Sequence, residues 1–250
     1  MIHVDDDGGV RTVTLDRPEA RNALTSGAFA TFDRTLRRSA VDDRIRAVVV
    51  TGAGQEAFCA GQDLKELPDI DPLALGSHPF HAFIETLASF PKPLVAAVRG
   101  VAVGAGVTML PYYDVVVAAS DARFLTPFVE LGVPAEGGSS VMLAATVGPR
   151  LAARMLLLGQ WIPAAEALAA GLVTELVDSD DVARRAADIG RRFAALPAPA
   201  VAATKRLLVE ARRDAVNAAC ARERAAGLDL YTTPTFQASI TDFGRESRRP

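Results

Sequence analysis

The sequence predicts an α/β fold with a largely parallel sheet, because buried-strand patterns alternate with helical patterns along the first part of the chain. Three largely apolar runs, at residues 45–51, 94–98 and 115–119, are rich in β-branched residues and alanine. Such runs are typical of strands buried on both faces of a sheet. Because helical segments separate them, we expect right-handed crossover connections between parallel strands.

Shorter patterns predict the other elements of this core. Residues 10–15 alternate apolar and polar side chains, as expected of a half-buried strand. Ser26 is predicted to cap a helix that runs to about Ala40. A second helix is predicted near residues 79–89.

The pattern changes after about Arg150, where strand signals nearly vanish and a periodicity of alanine, arginine and leucine takes over. Helices with wide apolar faces and no sheet to cover must pack on the core or on another subunit. We therefore predict a core over residues 1–195 and a helical C-terminal arm over residues 196–250.

The composition argues against several classes of protein. The 250 residues carry a formal net charge of −3, which gives no electrostatic basis for binding nucleic acid. No apolar run reaches the roughly 18 residues of a membrane span, and the first residues lack the pattern of a signal peptide. Cys59 and Cys220 are too few and too far apart for a disulfide framework or a metal site. We expect a cytoplasmic protein with no metal, no membrane contact and no nucleic-acid partner.

Two segments rich in glycine and alanine, residues 57–66 and 99–108, follow predicted buried strands. Small residues let a ligand approach the backbone, and a helix that starts near residues 104–106 directs N–H groups towards an anion. The same composition is also typical of tight strand-to-helix turns. Composition alone leaves both interpretations open.

Four motifs, in the order found here, resemble those of the enoyl-CoA hydratase/isomerase (crotonase) family. Residues 15–24 are LDRPEARNAL, residues 58–65 are FCAGQDLK, residues 100–106 are GVAVGAG and residues 171–177 are GLVTELV. The resemblance covers roughly residues 10–210. It implies a crotonase-type ββα spiral core, an acyl-CoA thioester substrate, no separate cofactor because CoA is part of the substrate, and a homotrimer or dimer of trimers. The C-terminal arm is then expected to serve oligomerisation and to cover the acyl pocket.

The resemblance also implies roles for individual residues. The backbone N–H groups of Ala60 and Ala105 correspond to an oxyanion hole, which stabilises the charge that a thioester oxygen gains when the α-carbon loses a proton. Arg21 and Lys65 are candidates for contacts with CoA phosphates or adenine, or are solvated surface charges. The residues predicted to bind substrate or CoA are Arg21, Ala23, Gly61, Asp63, Leu64, Lys65, Gly104, Gly106 and Phe128.

The acid and base groups decide the reaction within this family. Thr108 and Phe128 align with the two glutamates of hydratases, and neither side chain can activate water at neutral pH. Glu136 lies in a segment similar to the Pro-Glu-Gly-x-Ser-Ser of peroxisomal-type Δ3,Δ2-enoyl-CoA isomerases, except that Pro134 comes one residue earlier. The resemblance implies that Glu136 is the single catalytic base, with a pKa raised by neighbours such as Phe128 and Val133. The alternative is a first-turn carboxylate of the following helix.

The sequence therefore predicts an enoyl-CoA isomerase. Glu130, His3, His78 and His81 are interpreted as surface residues. Two alternatives remain open: another crotonase reaction (weak hydration, dienoyl-CoA isomerisation or thioester hydrolysis), and a non-catalytic acyl-CoA-binding paralogue. A paralogue that only binds its ligand has no need of a carboxylate beside the α-carbon. The position of Glu136 therefore distinguishes an enzyme from a binding paralogue.

Overall fold

The computed structural model describes residues 1–67, 74 and 77–239 of the chain. Within these residues the strands are Ile2–Asp7 (β1), Val10–Leu15 (β2), Ala47–Gly52 (β3), Ala57–Cys59 (β4), Leu94–Val98 (β5), Val101–Val103 (β6), Val115–Ala119 (β7), Arg123–Leu125 (β8), Ile162–Pro163 (β9) and Glu175–Val177 (β10). The helices are Ser26–Val41 (α1), Pro79–Ala88 (α2), Ala105–Thr108 (α3), Ser139–Val147 (α4), Pro149–Leu158 (α5), Ala164–Ala169 (α6), Val182–Ala195 (α7) and Ala198–Tyr231 (α8). None of these described helices is long and apolar enough to cross a membrane.

The described strands form two sheets that the chain visits in turn. The larger sheet has the order β1-β2-β3-β5-β7-β10, with β1 antiparallel to β2 and the other neighbours parallel. The smaller sheet has the order β4-β6-β8-β9, and its parallel pairs end in the antiparallel pair β8–β9. The pairs β3/β4, β5/β6 and β7/β8 each place one strand in each sheet, so the chain winds as the predicted ββα spiral.

The centre of the larger sheet is buried on both faces. Every residue of β5 is buried, and helix α7 packs against β3, β5 and β7. Gly190 of α7 allows a close approach, because a Cβ at that position would lie 3.0 Å from methyl carbons of Val10 and Val49. The continuous apolar runs of the central strands therefore reflect burial on both sides.

Two features of the sequence prediction are corrected by the structure. The strands β4 and β6 lie inside the glycine-rich segments that were expected to be loops, and three residues are too few to show a strand period. The cap of α1 is Thr25, whose side chain accepts a hydrogen bond from Ala28 N at 3.1 Å, and Ser26 is the first helical residue. Serine and threonine are both good capping residues, so the pattern alone does not separate neighbours.

An ion pair between a buried lysine and a solvent-accessible aspartate attaches the C-terminal arm to the larger sheet. Lys205 of α8 is 4% exposed, and its Nζ lies 2.7 Å from each carboxylate oxygen of Asp114. Asp114 Oδ2 also accepts a hydrogen bond from Leu94 N, the first residue of β5, at 2.8 Å. Helix α8 thereby starts its path at the sheet and then packs against α2 and α4.

Replacing Lys205 with methionine should lower the free energy of unfolding by about 1–3 kcal/mol, less than for a fully buried pair, because the Asp114 carboxylate that remains is accessible to water. Methionine keeps an apolar stem of similar length, so the loss reports the missing charge. The measurement is urea unfolding at a fixed protein concentration, with the exposed neighbour Arg206→Met as the control. A Lys205→Met loss no larger than that of the control would show that the pair does not hold the arm.

Candidate active site

Asn22 holds the first motif against strand β4. Its backbone has a φ of +57°, a left-handed conformation that asparagine tolerates. Its side-chain oxygen accepts a hydrogen bond from Arg17 N at 3.0 Å, and its amide donates to the carbonyls of Ala53 at 2.9 Å and Ala57 at 2.8 Å. The side chain is buried, so these bonds position the first motif beside the loop that follows β4.

Asp63 organises that loop from within the protein. Its Oδ2 accepts a hydrogen bond of 2.6 Å from Arg17 Nη1, and its Oδ1 accepts one from Lys65 N at 3.1 Å. Its own N–H donates to Leu24 O at 2.9 Å. Asp63 borders a cleft, but both of its carboxylate oxygens accept hydrogen bonds from the protein, so the structure gives Asp63 a role in organising the loop. The sequence analysis missed Arg17, although it lies within the first motif.

Among residues 60–63 of this loop, the N–H group without an acceptor is that of Gln62 and not that of Ala60. Ala60 N donates to Arg21 O at 2.9 Å, and Gly61 N faces Cys59 Sγ at 3.4 Å. Gln62 N has no acceptor among the described residues. The prediction that Ala60 supplies an oxyanion donor is therefore wrong, because that N–H already serves the contact with the first motif.

A second N–H group without an acceptor is that of Ala105, the residue that the sequence analysis proposed as a donor. Gly104 N donates to Leu125 O at 2.9 Å, and the N–H groups of Val107 and Thr108 turn back to Gly104 O. Ala105 N has no acceptor within the described part of the chain. The structure therefore leaves this N–H available, at the first residue of α3.

The three glycines of the predicted site, Gly61, Gly104 and Gly106, fall into two groups. A Cβ on Gly61 would lie 2.7 Å from a carbonyl oxygen of β6 and 3.2 Å from Ala105 N, and a Cβ on Gly106 would overlap the Cys59 carbonyl. These two glycines allow the loops to touch. Gly104 meets almost nothing and leaves open space beside the cavity. The predicted ligand contact of Gly106 is therefore corrected, since this residue contacts protein backbone.

An outer cleft of about 800 Å³ receives most of the residues predicted to bind CoA. Arg21 and Lys65 are exposed on its wall, and Ala23 is half-buried between them and the protein interior. The cleft is bordered by residues 18–23, 53–57 and 62–65. Two cations at an open cleft are suited to phosphate groups.

A narrower inner cavity of about 80 Å³ adjoins this cleft at Ala60, Gln62 and Leu64. Its lining includes both residues with free N–H groups and the carboxylate of Glu136. The other lining residues are mostly apolar: Leu67, Val103, Pro127, Phe128, Leu131, Val133, Tyr231 and Phe236. Leu64 and Phe128, which the sequence analysis predicted to bind substrate or CoA, both border this cavity. Phe236 and Tyr231 come from the C-terminal arm, and the sequence analysis assigned them no site.

Glu136 is a partly buried carboxylate with no hydrogen-bond donor among the described residues. The alternative reading, a carboxylate on the first turn of α4, does not apply, because Glu223 of α8 occupies that place. Glu223 accepts hydrogen bonds from Gly138 N at 2.6 Å and Ser140 N at 2.9 Å. Burial, and second the charge of Glu223, raise the pKa of Glu136 from 4.5 to about 8. The sequence analysis predicted that apolar neighbours raise the pKa of Glu136, but it did not predict the contribution of Glu223.

The two positions that align with hydratase glutamates are buried and uncharged. Thr108 is fully buried, and its hydroxyl oxygen has no partner among the described residues. Phe128 is 4% exposed and forms part of the cavity wall. Glu130 is exposed, as expected of a surface residue. No second carboxylate replaces the missing pair at the described lining of the inner cavity.

His78 is buried and not a surface residue, which corrects the prediction. Its Nδ1 accepts a hydrogen bond from Phe80 N at 3.2 Å, so the proton lies on Nε2, which is 2.9 Å from Ser26 Oγ. Ser26 Oγ in turn donates to Glu66 Oε2 at 3.0 Å. Burial lowers the pKa of His78. The imidazole thus caps α2 and links it to α1, and no acid or base function follows.

The chain matches the enoyl-CoA hydratase/isomerase family over residues 5–250. It is 36% identical over 234 residues to 2,3-dehydroadipyl-CoA hydratase of Escherichia coli (strain K12), with 94% of this chain and 91% of that protein covered. It is 33% identical over 226 residues to enoyl-CoA delta isomerase 2 of Homo sapiens, covering 88% of this chain and 57% of that protein. A crystal structure of an enoyl-CoA hydratase/isomerase from Pseudoalteromonas atlantica T6c superimposes with a TM-score of 0.91 at 34% identity, covering 100% of this chain and 98% of the other.

The two sheets, the adjoining cavities and these matches define a crotonase-fold enzyme. The chain belongs to the enoyl-CoA hydratase/isomerase family, and the predicted superfamily and spiral fold are confirmed. Relatives named as hydratases and relatives named as delta isomerases both match at similar identity. The reaction must therefore be argued from the side chains of the inner cavity.

The raised pKa of Glu136 should appear as a pH dependence of stability. A carboxyl whose pKa rises from 4.5 to about 8 on folding contributes stability that is complete below about pH 4.5 and lost as the pH rises through 8. Glu136→Gln should therefore gain stability relative to the wild type between pH 5 and 9. The measurement is urea unfolding at several pH values, with Glu130→Gln as the exposed control. A Glu136→Gln difference that does not change with pH would mean that Glu136 ionises normally in the folded protein.

Proposed function

We propose that the protein is a Δ3,Δ2-enoyl-CoA isomerase that moves a double bond through a stabilised dienolate, with Glu136 as its single acid and base. One observation carries this proposal. The Glu136 carboxylate borders the same apolar cavity as the free N–H groups of Gln62 and Ala105, and it is the single carboxylate on the described lining. A cavity with one base and two fixed donors suits proton transfer beside a thioester carbonyl.

Gln62 and Ala105 supply the electrophilic half of the reaction. The thioester oxygen accepts hydrogen bonds from their two N–H groups, and these bonds strengthen as the oxygen gains negative charge. Each well-placed donor in a dry site contributes about 3–4 kcal/mol to the stability of the transition state. The glycine contacts that bring the two loops together keep these donors in place before substrate arrives.

Glu136 supplies the proton-transfer half. Its carboxylate removes a proton from C2, and the C–H electron pair passes into a dienolate whose charge lies on the thioester oxygen. The protonated Glu136 then returns the proton to C4, which places the double bond between C2 and C3. A pKa of about 8 suits both steps near neutral pH, since the base must accept a proton and release it again.

The outer cleft holds the CoA part of the substrate in this proposal. Arg21 and Lys65 are placed to pair with phosphates, and the adjoining Leu64 marks the passage into the inner cavity. CoA arrives with the substrate, so the reaction uses no separate cofactor. The exposed leucines Leu207 and Leu208 of α8 support assembly as a homotrimer or a dimer of trimers, because such side chains gain by burial against another subunit.

Hydration and pure binding are the competing functions. The relative named 2,3-dehydroadipyl-CoA hydratase favours hydration, but Thr108 and Phe128 offer no group that activates water. A binding paralogue, a dienoyl-CoA isomerase or a thioester hydrolase would share the oxyanion donors. An unpaired carboxylate with a raised pKa is costly to bury without a function, which favours catalysis over binding.

Glu136→Gln should lower isomerase turnover about 10²–10⁴-fold, the usual contribution of a positioned general base. Glutamine keeps the size of the side chain but cannot accept the C2 proton. The measurement is chromatographic conversion of a 3-enoyl-CoA to its 2-enoyl isomer. Glu130→Gln is the matched control and should stay within a few-fold of the wild type.

A saturated acyl-CoA should bind Glu136→Gln and the wild type alike, because the N–H donors and the outer cleft are unchanged. If Glu136→Gln keeps near-full activity while Glu130→Gln loses it, the assignment of the base is wrong. A wild-type protein that binds acyl-CoA but converts no 3-enoyl-CoA would favour another reaction or a binding function.

Hydration of 2-enoyl-CoA should be slow, because Thr108 and Phe128 replace the two carboxylates that the hydratase reaction uses. The measurement is turnover with a short 2-enoyl-CoA, followed by the loss of the conjugated double bond. A wild-type rate above roughly 100 s⁻¹, typical of efficient enzymes, would contradict this expectation.

A further inference from the structure

Glu223 is a buried carboxylate of the C-terminal arm that lies next to the proposed base. It belongs to α8, is 9% exposed, and is separated from Glu136 by more than eighty residues of sequence. Its two oxygens divide their hydrogen bonds: Oε2 accepts from Gly138 N at 2.6 Å and Oε1 from Ser140 N at 2.9 Å. Gly138 lies in the turn that directly follows Glu136, and Ser140 lies in the first turn of α4.

The same turn is also held from the opposite side. Tyr112 Oη donates to Gly137 O at 2.7 Å, and Gly137 and Gly138 both have positive φ values, of 70° and 74°. A Cβ on Gly138 would overlap Tyr112 Oη. Residue 138 therefore has no room for a capping side chain of its own, and α8 supplies the acceptor instead.

Glu136 and Glu223 also share a small cavity of about 20 Å³ behind the inner cavity. The titratable groups around it come from two elements: His81 and Glu85 from α2, and Cys220, Glu223, Arg224 and Tyr231 from α8. Arg224 Nη2 lies 3.4 Å from Glu85 Oε1, so this cation pairs with a carboxylate other than Glu136. The charge of Glu223 is the second cause, after burial, of the raised pKa of Glu136.

We propose that Glu223 is a positioning residue for Glu136: its hydrogen bonds fix the turn that carries the base, and its negative charge sets the strength of that base. This inference rests on the proposed isomerase function of Glu136. A neutral side chain that accepts two hydrogen bonds would cap α4 equally well. A second carboxylate beside a buried base instead opposes the ionisation of that base and favours return of its proton.

Two variants separate the charge from the hydrogen bonds. Glu223→Gln removes the charge and keeps one carbonyl acceptor, whereas Glu223→Asp keeps the charge but is too short to reach both N–H groups. Glu210→Gln, an exposed position on the same helix, is the control. Two quantities are measured: the pH profile of isomerase kcat/KM, and the titration of the Glu136 carboxyl by infrared difference spectroscopy, assigned by its loss in Glu136→Gln.

Glu223→Gln should move the midpoint of both curves to lower pH by on the order of one unit, because a neighbouring like charge is gone. Glu223→Asp should leave the midpoint in place and lower the plateau of kcat/KM about 10-fold or more, since a displaced base transfers protons poorly. Glu210→Gln should change neither quantity. The infrared titration needs no turnover, so a wild type without isomerase activity would remove the proposed function while this measurement still tests Glu223.

A folded Glu223→Gln protein with an unchanged Glu136 titration and an unchanged pH profile would overturn the proposal and leave Glu223 a helix cap. If Glu223→Gln does not fold, Glu223→Asp is the variant that tests the proposal. A folded aspartate variant with wild-type kcat/KM at every pH would equally overturn it.

Discussion

Contact between two backbone segments determines the form of the inner cavity. The turn at Gly61 and the start of α3 at Gly106 approach so closely that neither position has space for a side chain. Gln62 and Ala105, whose N–H groups have no acceptor among the described residues, both border this cavity. In the proposed function, side chains that point into the cavity determine the reaction, and the backbone determines where a thioester oxygen is held. Thr108 and Phe128 stand where hydratases have carboxylates, and both N–H groups are still present beside the cavity.

Sequence patterns predicted the central strands well because burial on both faces leaves a strong signal. The runs that form β5 and β7 have the predicted bounds, and Ala105 was identified from its motif. The first donor was assigned to Ala60 because the motif does not show which N–H is already bonded to Arg21. That information depends on a contact between segments some forty residues apart. His78 was misplaced for the same reason, since its partners come from α1 and α2.

The contacts of Glu223 are even harder to predict from the sequence than those of Ala60 and His78. No local pattern distinguishes it from Glu210, the exposed glutamate of the same long helix. Its structural role arises only in the folded protein, because α8 passes the start of α4, where Gly138 has no space for a capping side chain. The environment of Glu136 is therefore set by one feature that the local sequence carries, its apolar neighbours, and by one that only the fold provides.

The attachment of α8 also affects when, during synthesis and folding, the environment of Glu136 is completed. Glu136 is synthesised well before Glu223, and chains emerge from the ribosome at roughly 5–20 residues per second. Before α8 packs against the core through Lys205 and Glu223, Glu136 lies on a turn that lacks the hydrogen bonds to Glu223, and its carboxylate has no neighbouring charge from α8. In the proposed function, an incomplete chain would therefore hold the two N–H donors before Glu136 has its final environment. The base would mature when the arm packs against the core and not when the sheets form.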